Sequence, residues 1–270
     1  MIRIFSILVG LFFTVALLWS FGNGAYNQIT DPAPASAEEL FHQHPKALSL
    51  ASDGPFGNFD RRQLQRGFQV YQEVCSACHA LKLVAYRDLK QLGYNDDEVK
   101  AIAAKAQVPV YDPKTGEVKS HKGLAIDHFP PVVYGGQGSP PDLSLITKAR
   151  HGGASYVYSL LTGYQNQPDD LLKKFPDAKT PEGLHFNPYF ANLNIAMPPP
   201  LTSDGQVTYS DGTKATVSQM AKDVSAFLVW TAEPSLAKRH QTGWPVLGFL
   251  LFATILAYLS YRNIWADKKH

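Results

Sequence analysis

A mainly α-helical domain with long loops, one short β-hairpin and a C-terminal transmembrane helix is the fold class the sequence predicts. Three observations predict it. Apolar residues recur at three- and four-residue steps behind capping residues at Asp60 and Thr216. Two runs of 18 residues, Ile4 to Phe21 and Trp244 to Tyr261, carry no charge. The 19 prolines and 20 glycines are spread along the chain, which points to loops rather than low complexity.

Residues 1–25 read as a signal peptide or a retained signal-anchor helix. The uncharged run would span about 27 Å as a helix, close to the hydrocarbon thickness of a bilayer. Gly22-Asn23-Gly24 and Ala35-Ser36-Ala37 offer small residues for cleavage. Either reading places the domain that follows outside the cytoplasm. Residues 26–55 have few long apolar runs and read as a linker over the surface. A soluble domain occupies 56–240, a transmembrane anchor 241–265 and a cytoplasmic tail 266–270. Trp244, Tyr258, Tyr261 and Trp265 mark the anchor's ends like an interfacial aromatic belt. Arg3, Arg262, Lys268 and Lys269 lie beyond the two apolar runs, the pattern of ends that face the cytoplasm; Lys238 and Arg239 weaken it. That arrangement suits a membrane protein whose domain lies outside the cytoplasm.

Within the domain, Asp60 caps a helix, with Gln63 three residues on as in a capping box. Leu64, Phe68, Tyr71, Val74 and Cys78 form one face of it. Further helices are expected over 96–106, 142–149 and 155–161. "QVTYSDGTKAT" reads as the hairpin, turning at Asp211-Gly212. Thr216 with Gln219 then opens a helix to about Trp230, and Pro234 stops it. Gly67 lets this helix cross the earlier one closely. Met220, Val224, Phe227 and Leu228 form its core-facing stripe.

The chemistry lies in "GFQVYQEVCSACHA". Cys75 and Cys78 are the only cysteines, and His79 follows directly. A disulfide is the plain alternative for an exported chain. Zinc lacks ligands, and a thioredoxin-like dithiol would need a βαβ context. Cys-x-x-Cys-His at the end of a helix is the signature of covalent c-type haem attachment. Two thiols on one turn reach the two vinyl groups along a haem edge, and the histidine swings under the ring. The sixth iron position falls to Met197 in "NIAMPPPL", a proline-stiffened loop, with His151 and His185 as rivals. A methionine there raises the potential and leaves no open site for a substrate such as peroxide. Arg150 suits a haem propionate, since a guanidinium grips a carboxylate with two hydrogen bonds. Tyr71 and Tyr156 offer further donors. Phe68, Phe190, Phe227 and Trp230 offer apolar packing. The formal charge of +2 gives no reason to expect nucleic acid.

The motifs "LQRGFQVYQEVCSACHALKLVAYRDL", "PPDLSLITKARHGGASYVYSLLTGY", "FNPYF", "IAMPPPL" and "DGTKATVSQMAKDVSAFLVWTAEP" occur in that order ahead of the C-terminal apolar run. From about residue 56 to 266 the chain resembles the cytochrome c1 family of the cytochrome bc1 complex. The resemblance implies a c-type cytochrome fold and one haem c held by Cys75 and Cys78, with His79 and Met197 on the iron. It implies that Arg150 binds a propionate and that Tyr156, Pro141 and Phe190 line the pocket. It also implies transfer of an electron from a Rieske iron–sulfur protein to a cytochrome c, beside cytochrome b in a dimeric complex. No catalytic site of its own is expected. The stretch 129–143 is shorter than the family's run, without its Ala/Arg/Asn-rich segment, and no cysteine is spare for a second bridge. Asp169, Asp170, Asp204 and Asp211 are candidates for an acidic docking surface. The alternatives are a stand-alone anchored or oxidase-associated cytochrome, and a haem enzyme such as a peroxidase.

Overall fold

The structure is a computed structural model that describes residues 2–268 except 33, 112, 114, 115 and 137; Lys269, among the basic ends above, lies outside them. It divides into two compact units, residues 1–41 and 42–270.

In the first unit, α1 (Ile2–Thr30) has no buried residue and is long and apolar enough to cross a membrane. It is followed by α2 (Ala37–Phe41), where Ser36 and Glu39 exchange backbone hydrogen bonds as a capping box.

The second unit is built on two crossing helices, α3 (Arg61–Val70) and α8 (Val217–Ala232). Asp60 and Thr216 cap them through their side-chain oxygens, as their sequences predict. At the crossing, a Cβ on Gly67 would lie 2.1 Å from the carbonyl oxygen of Asp223, so only glycine allows this approach. Gln63 and Gln219 do not complete capping boxes. Both donate instead to Oδ1 of the buried Asp223, at 3.1 and 2.8 Å. Arg66 binds the same carboxylate at 2.9 Å and Asp211 at 2.7 Å. Burial opposes the Arg66 charge, but those hydrogen bonds outweigh it and hold the guanidinium above its usual range. A buried carboxylate with this many donors fixes one register of the two helices. Below it Phe68, Phe227 and Trp230 pack together, with ring centres 5.5 and 5.6 Å apart.

Smaller elements complete the unit. A 3-10 stretch, Tyr86–Leu92, leads into α4 (Asp96–Ala103), capped reciprocally by Asn95 and Glu98 and shorter than the expected 96–106. The expected helix over 142–149 is only α5 (Ile146–Ala149). Asp142 is taken by backbone amides, accepting from Ser144 at 2.9 Å and Lys82 at 2.9 Å, and this holds 142–145 in a turn. The helices α6 (Gly153–Leu161) and α7 (Asp169–Lys174) follow, with a 3-10 turn at Pro176–Ala178.

The fold is mainly α with little strand, but its hairpin is elsewhere than expected. Residues 206–216 form turns and loop, not a hairpin. Gln69 takes the Thr208 carbonyl and Arg66 takes Asp211, so this stretch is tied to α3 instead of pairing as two strands. The strands pair antiparallel as β1 (Gln107–Tyr111) with β2 (Val118–Lys122), and β3 (His185–Phe186) with β4 (Asn194–Ile195). After α8, Glu233 and Pro234 break the helix. Then α9 (Leu236–Trp265) runs out as a second apolar helix, long enough to span a membrane.

Candidate functional site

The helix α3 does not continue as α through the cysteines. Residues Tyr71–Cys75 widen into a π turn, and Ser76 donates to the Tyr71 carbonyl at 2.8 Å. The amides of Cys78 and His79 then both donate to the Cys75 carbonyl, at 3.1 and 2.9 Å. One carbonyl thus gathers the whole Cys-x-x-Cys-His segment into a single turn. Both cysteines are free thiols, half-buried, so the disulfide alternative is not what the structure holds. Burial, helped by the neighbouring Cys78, pushes the Cys75 thiol up to about 12. A dithiol built for exchange needs the opposite shift, toward the thiolate.

His79 is oriented by one contact. Its Nδ1 lies 2.7 Å from the carbonyl oxygen of Pro141. A carbonyl only accepts, so Nδ1 carries the proton and Nε2 keeps its lone pair. This is the tautomer and the fixed ring that a metal ligand needs. Tyr71 braces the same residue from behind: its hydroxyl donates to the His79 carbonyl at 2.9 Å. Its ring is buried, and burial raises the hydroxyl above its usual range. The hydroxyl of Tyr71, expected to offer a donor to the haem, is engaged by that carbonyl in this structure.

Arg150 ends α5 with its side chain exposed, and its Nη1 donates to the Ala149 carbonyl at 3.2 Å. Gly152, at φ 81°, turns the chain into α6 and brings Tyr156 next to that guanidinium. Burial raises the Tyr156 hydroxyl, and Arg150 works against the shift. The two donors expected for a carboxylate are thus neighbours. Among the other expected aromatics, Phe68, Phe227 and Trp230 are fully buried in the helix crossing and belong to the core. Phe190 is half-buried in the loop between β3 and β4.

Met197 sits half-buried in a strap just after β4. The strap is anchored at both ends by side chains that sequence reading missed. Tyr164 donates its hydroxyl to the Met197 carbonyl at 3.0 Å, and Gln206 donates to the Pro200 carbonyl at 2.8 Å. Upstream, Leu193 is buried with φ 64°, in the left-handed region that a branched side chain rarely adopts. His185, a rival ligand in the sequence, lies in β3 with its ring edge-on to Tyr164, centres 6.5 Å apart. His151 is exposed beside Gly152.

Of the four acidic docking candidates, Asp211 is held by Arg66, and Asp204 caps α8 by accepting from the Val217 amide at 2.8 Å. Asp170 lies 3.7 Å from Lys173.

The residues present fit a c-type haem. Reduced thiols share one turn, a histidine of fixed tautomer follows, a methionine is held on a stiff strap, and an arginine–tyrosine pair suits a carboxylate. Among the described residues no group of three His, Cys, Asp or Glu could hold a bare metal ion.

Comparison with known proteins points the same way. The family model described as Cytochrome C1 family matches residues 50–268. A protein named cytochrome c1 from Rhodospirillum rubrum is 43% identical over 239 residues, covering 80% of this chain and 86% of that protein. Cytochrome c1 of Cereibacter sphaeroides is 38% identical over 264 residues, covering 84% and 88%. A mitochondrial cytochrome c1, heme protein, from Saccharomyces cerevisiae is 39% identical over 250 residues, covering 90% and 76%.

Proposed function

The chain belongs to the cytochrome c1 family, and from that premise we propose that it is the electron-transfer subunit of a quinol–cytochrome c reductase. In this reading it accepts an electron from a Rieske iron–sulfur protein and passes it to a cytochrome c, beside cytochrome b in a dimeric complex. Its domain, 56–240, faces the periplasm of a bacterium, and 241–265 anchors it. Residues 1–25 act in export.

Cys75 and Cys78 hold the haem by thioether bonds, for which their reduced state is the required one. Nε2 of His79 and the sulfur of Met197 would ligate its iron. Arg150 and Tyr156 bind a propionate, and Pro141 and Phe190 line the pocket. The bound haem supplies a one-electron iron couple. The protein's own work is to fix ligands and exclude water. No side chain has to act as acid, base or nucleophile. Acidic and basic residues balance at 21 each over 38–240, so two ionised propionates would leave the domain negative. A basic cytochrome c would then be steered to it, with association that weakens in salt.

The observation that carries the reading is the 2.7 Å contact from His79 Nδ1 to the Pro141 carbonyl, one residue beyond two free thiols. The test is to purify the full chain from gently solubilised membranes through a C-terminal tag. Haem should stay with the chain on a denaturing gel and be lost in Cys75→Ser/Cys78→Ser. Cytochrome b and a Rieske protein should travel with it in comparable amounts. A haem chain that emerges alone, while other respiratory complexes stay whole, would sink the assignment to a reductase.

A further inference from the structure

Where α9 leaves the haem domain, its first turns face the loop 55–58 across a pocket of about 660 Å³. That volume is in the range of small-molecule sites. The pocket is lined by Phe56, Asn58, Lys238, His240, Gln241 and Trp244, with no acid among its lining residues. The loop is tied to the helix at two points. His240 Nδ1 donates to the Gly57 carbonyl at 2.8 Å, and Trp244 Nε1 donates to the Pro55 carbonyl at 3.1 Å. Gly57 is needed there, because a Cβ would lie 2.2 Å from the Ser52 carbonyl oxygen.

Two features point to what the pocket takes. Phe56 stacks on Trp244, with ring centres 4.7 Å apart and planes at 15°. Yet Phe56 is 78% and Trp244 44% exposed. A stacked, exposed aromatic pair at the mouth of an apolar helix marks the interface of a bilayer. The charges are sorted as well. Arg239 is paired with Glu233, which also holds Lys148 at 3.0 Å, whereas Lys238 has no ion-pair partner among the described residues. Lys238 lies six residues before Trp244, about 9 Å above it along the helix, at headgroup height. With the Nδ1 proton of His240 on Gly57, its Nε2 is the nitrogen left for a ligand. Pro245 has no amide hydrogen, so the carbonyl of Gln241 lacks its helical donor and is a further acceptor in the same turn.

We propose that this pocket is a binding site for an anionic phospholipid, with the phosphate on Lys238 and the upper acyl chains against the Phe56–Trp244 pair. Such a lipid would fill the angle between the domain and its anchor and so fix the height of the haem above the membrane. The inference rests on α9 crossing the bilayer.

The test uses the full chain in its complex, delipidated in mild detergent and then mixed with vesicles of phosphatidylcholine alone or doped with phosphatidylglycerol. Retained lipid is counted by native mass spectrometry. Wild type should keep phosphatidylglycerol in preference to phosphatidylcholine. Lys238→Glu should lower its retention roughly fivefold or more, Lys238→Arg should restore it, and Arg262→Ala/Lys268→Ala at the far end should leave it unchanged. Equal retention of both lipids, or no change in Lys238→Glu, would overturn the proposal. Displacement by inorganic phosphate at equal concentration would make this a site for free anions, and would overturn it too. So would a Lys238→Cys thiol that stays closed to a water-soluble maleimide after delipidation, since a protein subunit would then cover the pocket. A chain released from membranes by carbonate would refute the anchor itself, and haem staining of the same samples reports separately on the electron-transfer reading.

Discussion

The two sides of the site are built in different ways. The His79 backbone is held locally and sits on the core, although its ring leans on the Pro141 carbonyl 62 residues on. The histidine follows four residues after the π turn ends, its amide is bonded to Cys75, and its support is the crossing of α3 and α8. The Met197 side is long-range. That strap lies outside any helix and is held by Tyr164, 33 residues earlier in the chain, and by Gln206. The difference implies that the first side shares the stability of the whole core, while the second can loosen without unfolding the domain. In the present reading, the iron would then lose Met197 before it loses His79.

The largest effects should come from breaking the support of the His79 side. Asp223→Ala removes the acceptor of Gln63, Gln219 and Arg66 at once. Leaving a mostly buried guanidinium with only Asp211 should destabilise by about 3–5 kcal/mol. Chemical denaturation of the full chain should show the loss as a lower midpoint with unchanged slope. A loss under 1 kcal/mol would mean that the network does not hold the helices. Gly67→Ala should cost about 2–3 kcal/mol, because the added methyl meets backbone of α8 rather than a movable side chain. Both variants should damage haem retention and stability together.

Tyr164→Phe should do the reverse. It removes one hydrogen bond to the strap, worth about 1 kcal/mol, and barely moves the denaturation midpoint. It should nevertheless let carbon monoxide reach the reduced iron faster than in wild type, in the direction of Met197→Ala, which should keep its haem but bind carbon monoxide readily. If Tyr164→Phe lowered global stability as much as Gly67→Ala, the contrast between the two sides would fail.

How much of this was legible in the sequence follows the same division. Caps at Asp60 and Thr216 and the close approach at Gly67 could be read because each depends on a few neighbouring residues. What followed the caps could not. Gln63 and Gln219 look like capping-box partners, but a carboxylate from the opposite helix outbids the nearby amide. The hairpin at 107–122 was hidden because Pro109 and Lys119 blur its alternation, while 206–216 has a good turn but lends its polar groups to α3. The Cys75-Ser76-Ala77-Cys78-His79 turn was visible, whereas nothing local to Tyr164 announces that it holds Met197.

The smallest effect tests where the His79 side meets solvent. The Asp211 carboxyl is lowered to about 2, first by the Thr213 backbone amide and then by Arg66. A depressed acid is more readily ionised in the folded state, so its contribution is complete above the ordinary carboxylate value near 3.9. It fades as pH falls toward 2, where the folded protein must also take up the proton. Because Asp211 is near the surface, that contribution should be at most about 1 kcal/mol. Asp211→Asn should therefore flatten the stability profile only between about pH 4 and pH 2. Its stability difference from wild type should shrink as the pH drops. A difference that stayed constant down to pH 2 would show that Asp211 acts through the shape of its turn, with Thr213 and Gly212, and not through its charge on Arg66.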